Sequence, residues 1–573
     1  MGMSALFVGL SGLQTSGNSL NTTANNLTNV NSEGYVRQQV VNKDLGYNLA
    51  GTTSAINTGQ KGLGVTIASV NHVRDVFLDA AYRKESGRQQ FYEKIYNTVY
   101  EIETQIGDTE GIEGIAYQSA ITDLLRAVNE VAKTPGEQVA RSALCQSAAE
   151  FIDKSQSIYN GLRDYQKTVD EEMLSTVNRI NEIGHTIRDL NERISKIEVG
   201  GMETAADLRD TRDLLLDELA SYVKINYEED SNGVVEVCIE GTQFCDNLYV
   251  NELGLKKIEG SEFLEPIWTH MNEHPLYNVE ATVSIEKNTD IGGLKGLFFS
   301  RGNVTPTVVS MTMPNPDTYP LGATDPDYLS AVKEHEMYLK TCNTSILVNT
   351  MANFDKLVNS IVENINDVLC PDTDYIAADG TVYTVLDVEN AGMGKDGTYG
   401  EELFSRSYTP RYVQQEIDGQ IFYVRNNVNT FGNASAYTIN NITVNPTVMD
   451  DYSKLPLTSS NGEDDYTVGQ DLVELFSKDK LFYNGGKDEL SFEEFFETMI
   501  NDVANTGKIY SSMSDNEAEL STALHNQRLQ VMGVSSDEEL SNMIRYQQAY
   551  NAASRYINVI SEMIETLIMR TGV

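Results

Sequence analysis

LFVGLSGLQTSGNSLNTTANNL, residues 6–27, and MIRYQQAYNAASRYINVISEMIETL, residues 543–567, decide how this 573-residue chain is read. In the first stretch Leu6, Leu10, Leu13, Gly17, Leu20, Ala24 and Leu27 alternate steps of 4 and 3. In the second, Met543, Tyr546, Tyr550, Ala553, Ile557, Ile560, Ile564 and Leu567 repeat the same step. Each set lies on one stripe of a helix, as in a coiled-coil seam. Neither stripe has a matching seam beside it in sequence. The two ends are therefore expected to pair with each other and then pack against copies of the chain. The alternative is a pair of ordinary terminal helices docked on their own domain.

Working outward, residues 1–32 contain no Asp, Glu, Lys or Arg, in a chain that is 22% charged. They are rich in Asn, Ser, Thr and Gly, which are weak helix formers. A helix of this composition is marginal in water by itself and is expected to fold only when packed. At the other end, Ser536 and Glu539 read as a capping box just after Gly533, which starts a helix near 536. That helix would run roughly 50 Å and the first roughly 40 Å, near enough in length to pair.

Length predicts three or four domains. The formal net charge is −42, which repels nucleic acid and an anionic membrane surface, so neither is an expected partner. Cys145, Cys238, Cys245, Cys342 and Cys370 contain no CxxC pair and do not read as a disulfide framework. Cys238 and Cys245 could meet across a hairpin; the other reading is two buried free thiols. The start MGMSALFVGL lacks a basic n-region, and no 18-residue apolar run exists, so no cleaved signal and no spanning helix are expected.

The pattern predicts a mainly α chain with β-rich domains, an α+β multidomain fold. It has terminal coiled-coil helices, a long central helical hairpin and inserted β domains. Gly34 reads as the C′ residue of the first helix, followed by extended YVRQQVV (35–41) and turns at Gly51, Gly59, Gly62 and Gly64. Helices are expected from Val70 to about Thr104, over 112–133, and from about Glu137 to Ile197. The last would span roughly 90 Å. After the Gly200–Gly201 break, a helix carrying Ala205, Leu208, Leu215, Leu219 and Tyr222 folds back along it, with Arg212 paired to Asp207 or Asp213 or left on a solvated face. Runs VVEVCIE (234–240), ATVSI (281–285) and GLFFS (296–300) read as strands. Residues 303–327 read as a loop, 328–369 as helix, and helix returns from Ser491. The expected units are 1–40 with 536–573 for assembly, 41–222 with 328–370 and 491–535 as a helical core, 223–302 as a β-rich subdomain, and 371–490 as a separate, variable β-rich outer domain.

Residues 6–38 hold Asn25, Asn26, Asn29, Asn31, Gly34, Tyr35, Arg37 and Gln38 in the order Asn-Asn-Leu-x-Asn-Val-Asn-x-x-Gly-Tyr-x-Arg-Gln. This resembles the N-terminal signature of flagellar rod, hook and hook-associated proteins, and GVSSDEELSNMIRYQQAYNAASRYINVISEMIETLI (533–568) resembles their C-terminal signature. The step Tyr35-Val36-Arg37-Gln38, the hairpin LNERISKI…AADLRDTRDLLLDELASYVKI and IGGLKGLFFSRG resemble the hook-associated protein 1 family in particular. The resemblance covers 1–302 and 491–573. It implies a structural, non-enzymatic subunit at the hook–filament junction outside the cell, exported without a cleaved signal and self-assembled as a ring or helical lattice. It also implies the hook protein below, a second junction protein and flagellin above, and an export chaperone on the C-terminal helix. Another axial protein, hook or distal rod, is the alternative, against which the helical hairpin argues.

Catalytic patterns are few, and neither a cofactor nor a metal is expected. His270-Met271-Asn272-Glu273-His274 matches the H-x-x-E-H of inverted zinc proteases, which would make the chain a secreted protease on axial-protein ends. That chemistry needs a helix presenting both histidines, and Pro266 and Pro275 flank the motif, so a turn is expected. His335-Glu336 lacks the second histidine of H-E-x-x-H. YNGGKDELSFEE (483–494) lacks Asp at the calcium-ligand positions. GLSG and KGLG read as turn glycines rather than a phosphate loop.

Overall fold

The computed structural model describes residues 2–45, 47–48, 61–107, 117–200, 204–278, 283–316, 319, 321–407, 409–426, 436–478, 481–484 and 489–571. Helix α1 (Gly2–Thr28) leads through a turn into strand β1 (Gln38–Asp44), two-residue strands β2 (Tyr47–Asn48) and β3 (Lys61–Gly62), and β4 (Val65–His72). Strands β1 and β4 pair antiparallel, with a register shift at Val41/Asn42. Helix α1 stops at Thr28, so Gly34 is not its C′ residue. Gly34 instead supplies φ +73 in the turn before β1, where an added Cβ would lie 2.5 Å from Leu214. The helix expected from Val70 starts at 76, because 65–72 is the return strand of the hairpin. The glycine turns expected at 51 and 59 lie outside the described residues.

Helix α2 (Val76–Ile106) is capped by Asp75, whose carboxylate accepts from the Phe77 and Leu78 amides, and ends at Gly107 with φ 81. Helix α3 (Tyr117–Lys133) follows; residues 112–116 of its expected span are not described. Helix α4 (Gln138–Glu198) runs for 61 residues, and α5 (Ala206–Tyr222) returns antiparallel, as Glu198–Arg209 and Arg179–Glu218 pairs show. Arg212 on α5 is 1% exposed. It pairs with neither Asp207 nor Asp213 but bonds Asn191 (3.0 Å), the Gly233 carbonyl (2.6 Å) and Glu229 (3.2 Å).

Beyond α5 lie two three-stranded sheets. One holds β5 (Ile225–Glu229), β6 (Val235–Ile239) and β7 (Thr242–Cys245). The other holds β8 (Leu253–Lys257), β9 (Leu264–Trp268) and β10 (His274–Pro275). Cys238 stands opposite Gln243 and Cys245 opposite Val237, and all five cysteines are free thiols; Cys238 is only half-buried. GLFFS is not a strand: Gly293–Arg301 is helix α6, buried at every residue. A run apolar on all sides carries no period, so length and surroundings decide its class. In ATVSI, residues 281–282 are not described and 283–285 are not strand.

The loop 303–327 holds the short α7 (Val308–Met311), and the helical stretch after it divides into α8 (Pro326–Thr341) and α9 (Ile346–Leu369). Residues 371–490 contain β11 (Asp372–Ile376), β12 (Val382–Leu386), β13 (Phe404–Arg406), β14 (Tyr412–Ile417), β15 (Gln420–Arg425), β16 (Ile442–Val444), α10 (Pro446–Asp450), α11 (Tyr466–Ser477) and β17 (Leu481–Phe482), with β18 (Glu489–Leu490) completing a two-stranded pair. The chain closes with α12 (Phe492–Met532) and α13 (Ser536–Thr571).

Two large cores organise the body. One joins α3, Ala140–Leu162 of α4, α9, the start of α12, and Leu386, Phe404, Ile442, Leu457 and Leu472 from 371–490. Residues 371–490, expected to stand apart, thus share a core with the helices. The other core joins Val169–Ile187 of α4 with α5, α6 and the sheets around Val237 and Trp268. The long α4 is therefore common to both, which its unbroken apolar stripe provides.

Candidate assembly interface

The terminal helices lie against each other antiparallel, outside both cores. Three glycines of α1 let the axes approach. A Cβ at Gly9 would lie 2.7 Å from Ile557 Cγ1, one at Gly12 3.7 Å from Ala553, and one at Gly17 3.6 Å from the Tyr550 ring. The GLSG glycines are therefore helical contact positions, not turns. Small residues at such a crossing admit side chains of the partner helix where a larger residue would hold the backbones apart.

The other face of α1 is polar and buried. Thr15, Ser19, Thr23 and Asn26 recur at helical spacing and are 1–6% exposed. The face runs beside the β1–β4 hairpin, where Ser11 Oγ accepts from the Val65 amide (3.2 Å). Asn26 is the anchor. Its Nδ2 donates to the Gln38 carbonyl (2.9 Å), while its Oδ1 accepts from the Gln38 amide (3.1 Å) and the Tyr35 hydroxyl (2.8 Å). Asn29 Nδ2 donates to the Asn25 carbonyl and side chain, bracing the last turn, and Asn31 is exposed. Burial, then Asp210, Asp207 and Glu539, push the Tyr35 hydroxyl up to about 12, so it stays a donor.

Arg37 fastens the root of α13. Its Nε and Nη1 donate to Glu539 (2.8 Å) and Glu538 (2.9 Å), and its amide donates to the Met532 carbonyl (2.9 Å). Glu539 is 2% exposed and gives its carboxylate to Arg37, so it does not close a capping box. The cap is Ser535, one residue before the expected start, whose Oγ accepts from the Glu538 amide (3.5 Å). Asp537, Glu538 and Glu539 set negative charge at the positive helix end.

Below this root, a compensated charge cluster ties α2, α5 and α12 together. Arg528 bridges Asp79 (2.7 Å) and Asp217 (2.8 Å), Arg83 bonds Asp217 (2.6 Å), and Arg74 pairs with Asp79 (2.9 Å) and Asp213. Burial opposes ionisation of Asp79, but the Arg74 hydrogen bond and the charges of Arg74, Arg528 and Arg83 hold its carboxyl below the usual range. Nothing local in the sequence marks this cluster, because its members are separated by up to 454 positions, from Arg74 to Arg528. The polar stripe on α1 did carry a signal, its helical spacing within a charge-free segment.

The expected seam residues sit on these two helices, and none is buried. Leu6, Leu13, Leu20, Leu27, Met543, Tyr546, Ile557, Ile560 and Ile564 are half-buried, while Leu10, Tyr550 and Leu567 are exposed. By contrast His270–Glu273 is a turn with Asn272 and Glu273 at positive φ. His270 packs on Trp268 and Glu273 pairs with Lys256 (2.7 Å), so the two histidines share no helical face.

Residues 101–375 match the family model described as the flagellar hook-associated protein FlgK helical domain, and residues 525–570 the C-terminal model of flagellar basal body rod FlgEFG proteins. The chain is 24% identical to flagellar hook-associated protein 1 of Bacillus subtilis (strain 168), covering 100% of this chain and 99% of that one. The chain resembles the flagellar hook-associated protein 1 family along its whole length. The Salmonella typhimurium member is 25% identical over 98% of both chains. The Escherichia coli K12 member is 22% identical over the same shares. In fold, the chain is similar to the flagellar hook junction protein FlgK from Burkholderia pseudomallei, with a TM-score of 0.51 and 11% identity over 80% of this chain and 100% of that one.

Proposed function

We propose that this chain is a structural subunit of the junction between flagellar hook and filament, and that its terminal helices complete their folding as copies assemble. One observation carries the reading: no apolar side chain described on α1 or α13 is buried, although the two helices are already paired. Phe7 is 64% exposed and Met563 63%, whereas the body buries α6 at every residue. Removing a Leu or Ile side chain from water is worth about 1.5–3 kcal/mol, so several per subunit outweigh the poor helix propensity of α1. A lattice of copies supplies that burial. The hook protein below, and a second junction protein with flagellin above, are the neighbours this place implies. An export chaperone on α13 would shield the same apolar surface beforehand. The match to the helical-domain model over 101–375 favours the junction over a simple rod or hook subunit.

Ile560→Asp tests the reading. The charge cannot be hydrated inside a seam, so the variant should keep the fold of its body yet fail to incorporate, and cells should keep hooks and shed filament subunits. Normal motility with Ile560→Asp would contradict it.

A further inference from the structure

Beyond Gln38, the outer edge of strand β1 has no hydrogen-bond partner among the described residues and opens into a cleft. The Arg37 carbonyl accepts from the Val73 amide (3.1 Å), whereas Gln38 gives both its amide and its carbonyl to Asn26 on the opposite side. Alternation in an antiparallel ladder then turns the odd residues of β1 toward β4 and the even ones outward. On β4, Val70 stands opposite Val40, and its carbonyl accepts from Thr204 Oγ1 (3.4 Å), away from β1, as that alternation requires. The Val40 amide and carbonyl therefore face outward, one position beyond the edge site that Asn26 fills.

They face a cleft of 580 Å³ between α1, β1 and the first turns of α13, lined by Ser19, Thr22, Gln39, Val40, Asn542 and Arg545 among others. Ser19 is 1% exposed, and its hydroxyl has no partner among the described residues. The mouth carries both signs of charge, with Asp537 and Glu538 beside Arg545. An open strand edge beside unsatisfied polar groups is a template for an added strand.

We propose that this cleft receives an extended segment of a second copy of the chain, which adds to the outer edge of β1 at Val40. The inference rests on the assembly reading above and deepens it. The cleft is continuous with the α1–α13 pair that reading places against neighbouring copies, and its mixed-charge mouth suits a copy bearing both signs. Asn26 occupies the first edge position from within the chain and so sets the register in which the neighbour's strand begins.

Two experiments on the full chain decide it. A photo-cross-linking residue placed at Gln39, in isolated hook–filament junctions, should yield a species of twice the 63.6 kDa chain mass. Cross-links only to a different protein, or none, would overturn the second-copy assignment. Val40→Pro removes an amide that β4 does not use, and proline is tolerated where a strand's N–H faces outward. It should leave the melting of the single chain unchanged and weaken incorporation at least tenfold; incorporation at the wild-type level would overturn the proposal. Should Val40→Pro disturb the hairpin, amide exchange of the unmodified chain serves instead. Peptide 38–44 should be slowed by roughly 100-fold on assembly, and equal exchange in both states would overturn the proposal. Normal incorporation of Val40→Pro beside failure of Ile560→Asp sinks this inference alone and leaves the seam reading standing.

Discussion

Arg37 and Asn26 do the joining at the foot of the terminal pair. Asn26 imitates a strand for Gln38, and Arg37 neutralises Glu539, a carboxylate with almost no exposure. Arg37→Ala leaves that carboxylate buried without its partner, a change that costs about 3 kcal/mol. Limited proteolysis of the single chain should therefore cut between Met532 and Arg545 in the variant before it cuts the wild type; equal resistance would show that the pair is not what seats α13. The signature contains Asn26 and Arg37 but does not tell their tasks. Asn26 reads as one more Asn in a polar run until its face is set against the hairpin. Glu539 has the spacing of a capping box with Ser536, yet its side chain goes to an arginine 502 residues earlier in the chain.

Helices were the most legible elements, because a sustained 3.6-residue period survives any tertiary setting. The seam of α4 and its return along α5 are read directly from Val169–Ile197 and Leu208–Tyr222. Short segments were less legible. α6 is buried all round with no apolar period to mark it, and β4 carries only an 8-residue run before α2. The pairing of elements was legible only where two seams matched, so the joint of α2, α5 and α12 through Arg528, Arg83, Arg74, Asp79, Asp213 and Asp217 had no counterpart in local sequence. Three cations and three anions there balance one another, and Arg528 also lies 4.4 Å over the Tyr82 ring. Arg528→Met leaves the cluster one cation short. Denaturant unfolding should show a loss of about 3 kcal/mol; an unchanged midpoint would mean that packing alone holds α12 on α2.

At the scale of the whole molecule, the body and its ends differ in kind. The body is closed by two cores that share α4, and residues 371–490 belong to one of them, held through buried Glu402, Tyr437 and Asn366 as well as through apolar side chains. Burial pushes the Glu402 carboxyl up from 4.5 to about 7, against the Tyr437 hydrogen bond and the nearby arginines. A folded value above the unfolded one means the folded chain binds the extra proton. This contribution is therefore full below pH 4.5 and is lost as pH rises through 7. Glu402→Gln should flatten the fall in melting temperature between these limits; a slope unchanged from wild type would assign the dependence elsewhere. The ends have no such closure, since every apolar side chain described on α1 and α13 keeps some exposure. Hydrogen exchange measured on the single chain and on assembled junctions tests that contrast most directly. The amides of α1 and α13 should exchange far faster than those of α4 and α9 in the single chain and become protected only in the assembly. Protection of both terminal helices equal to that of α4 in the single chain would contradict the account.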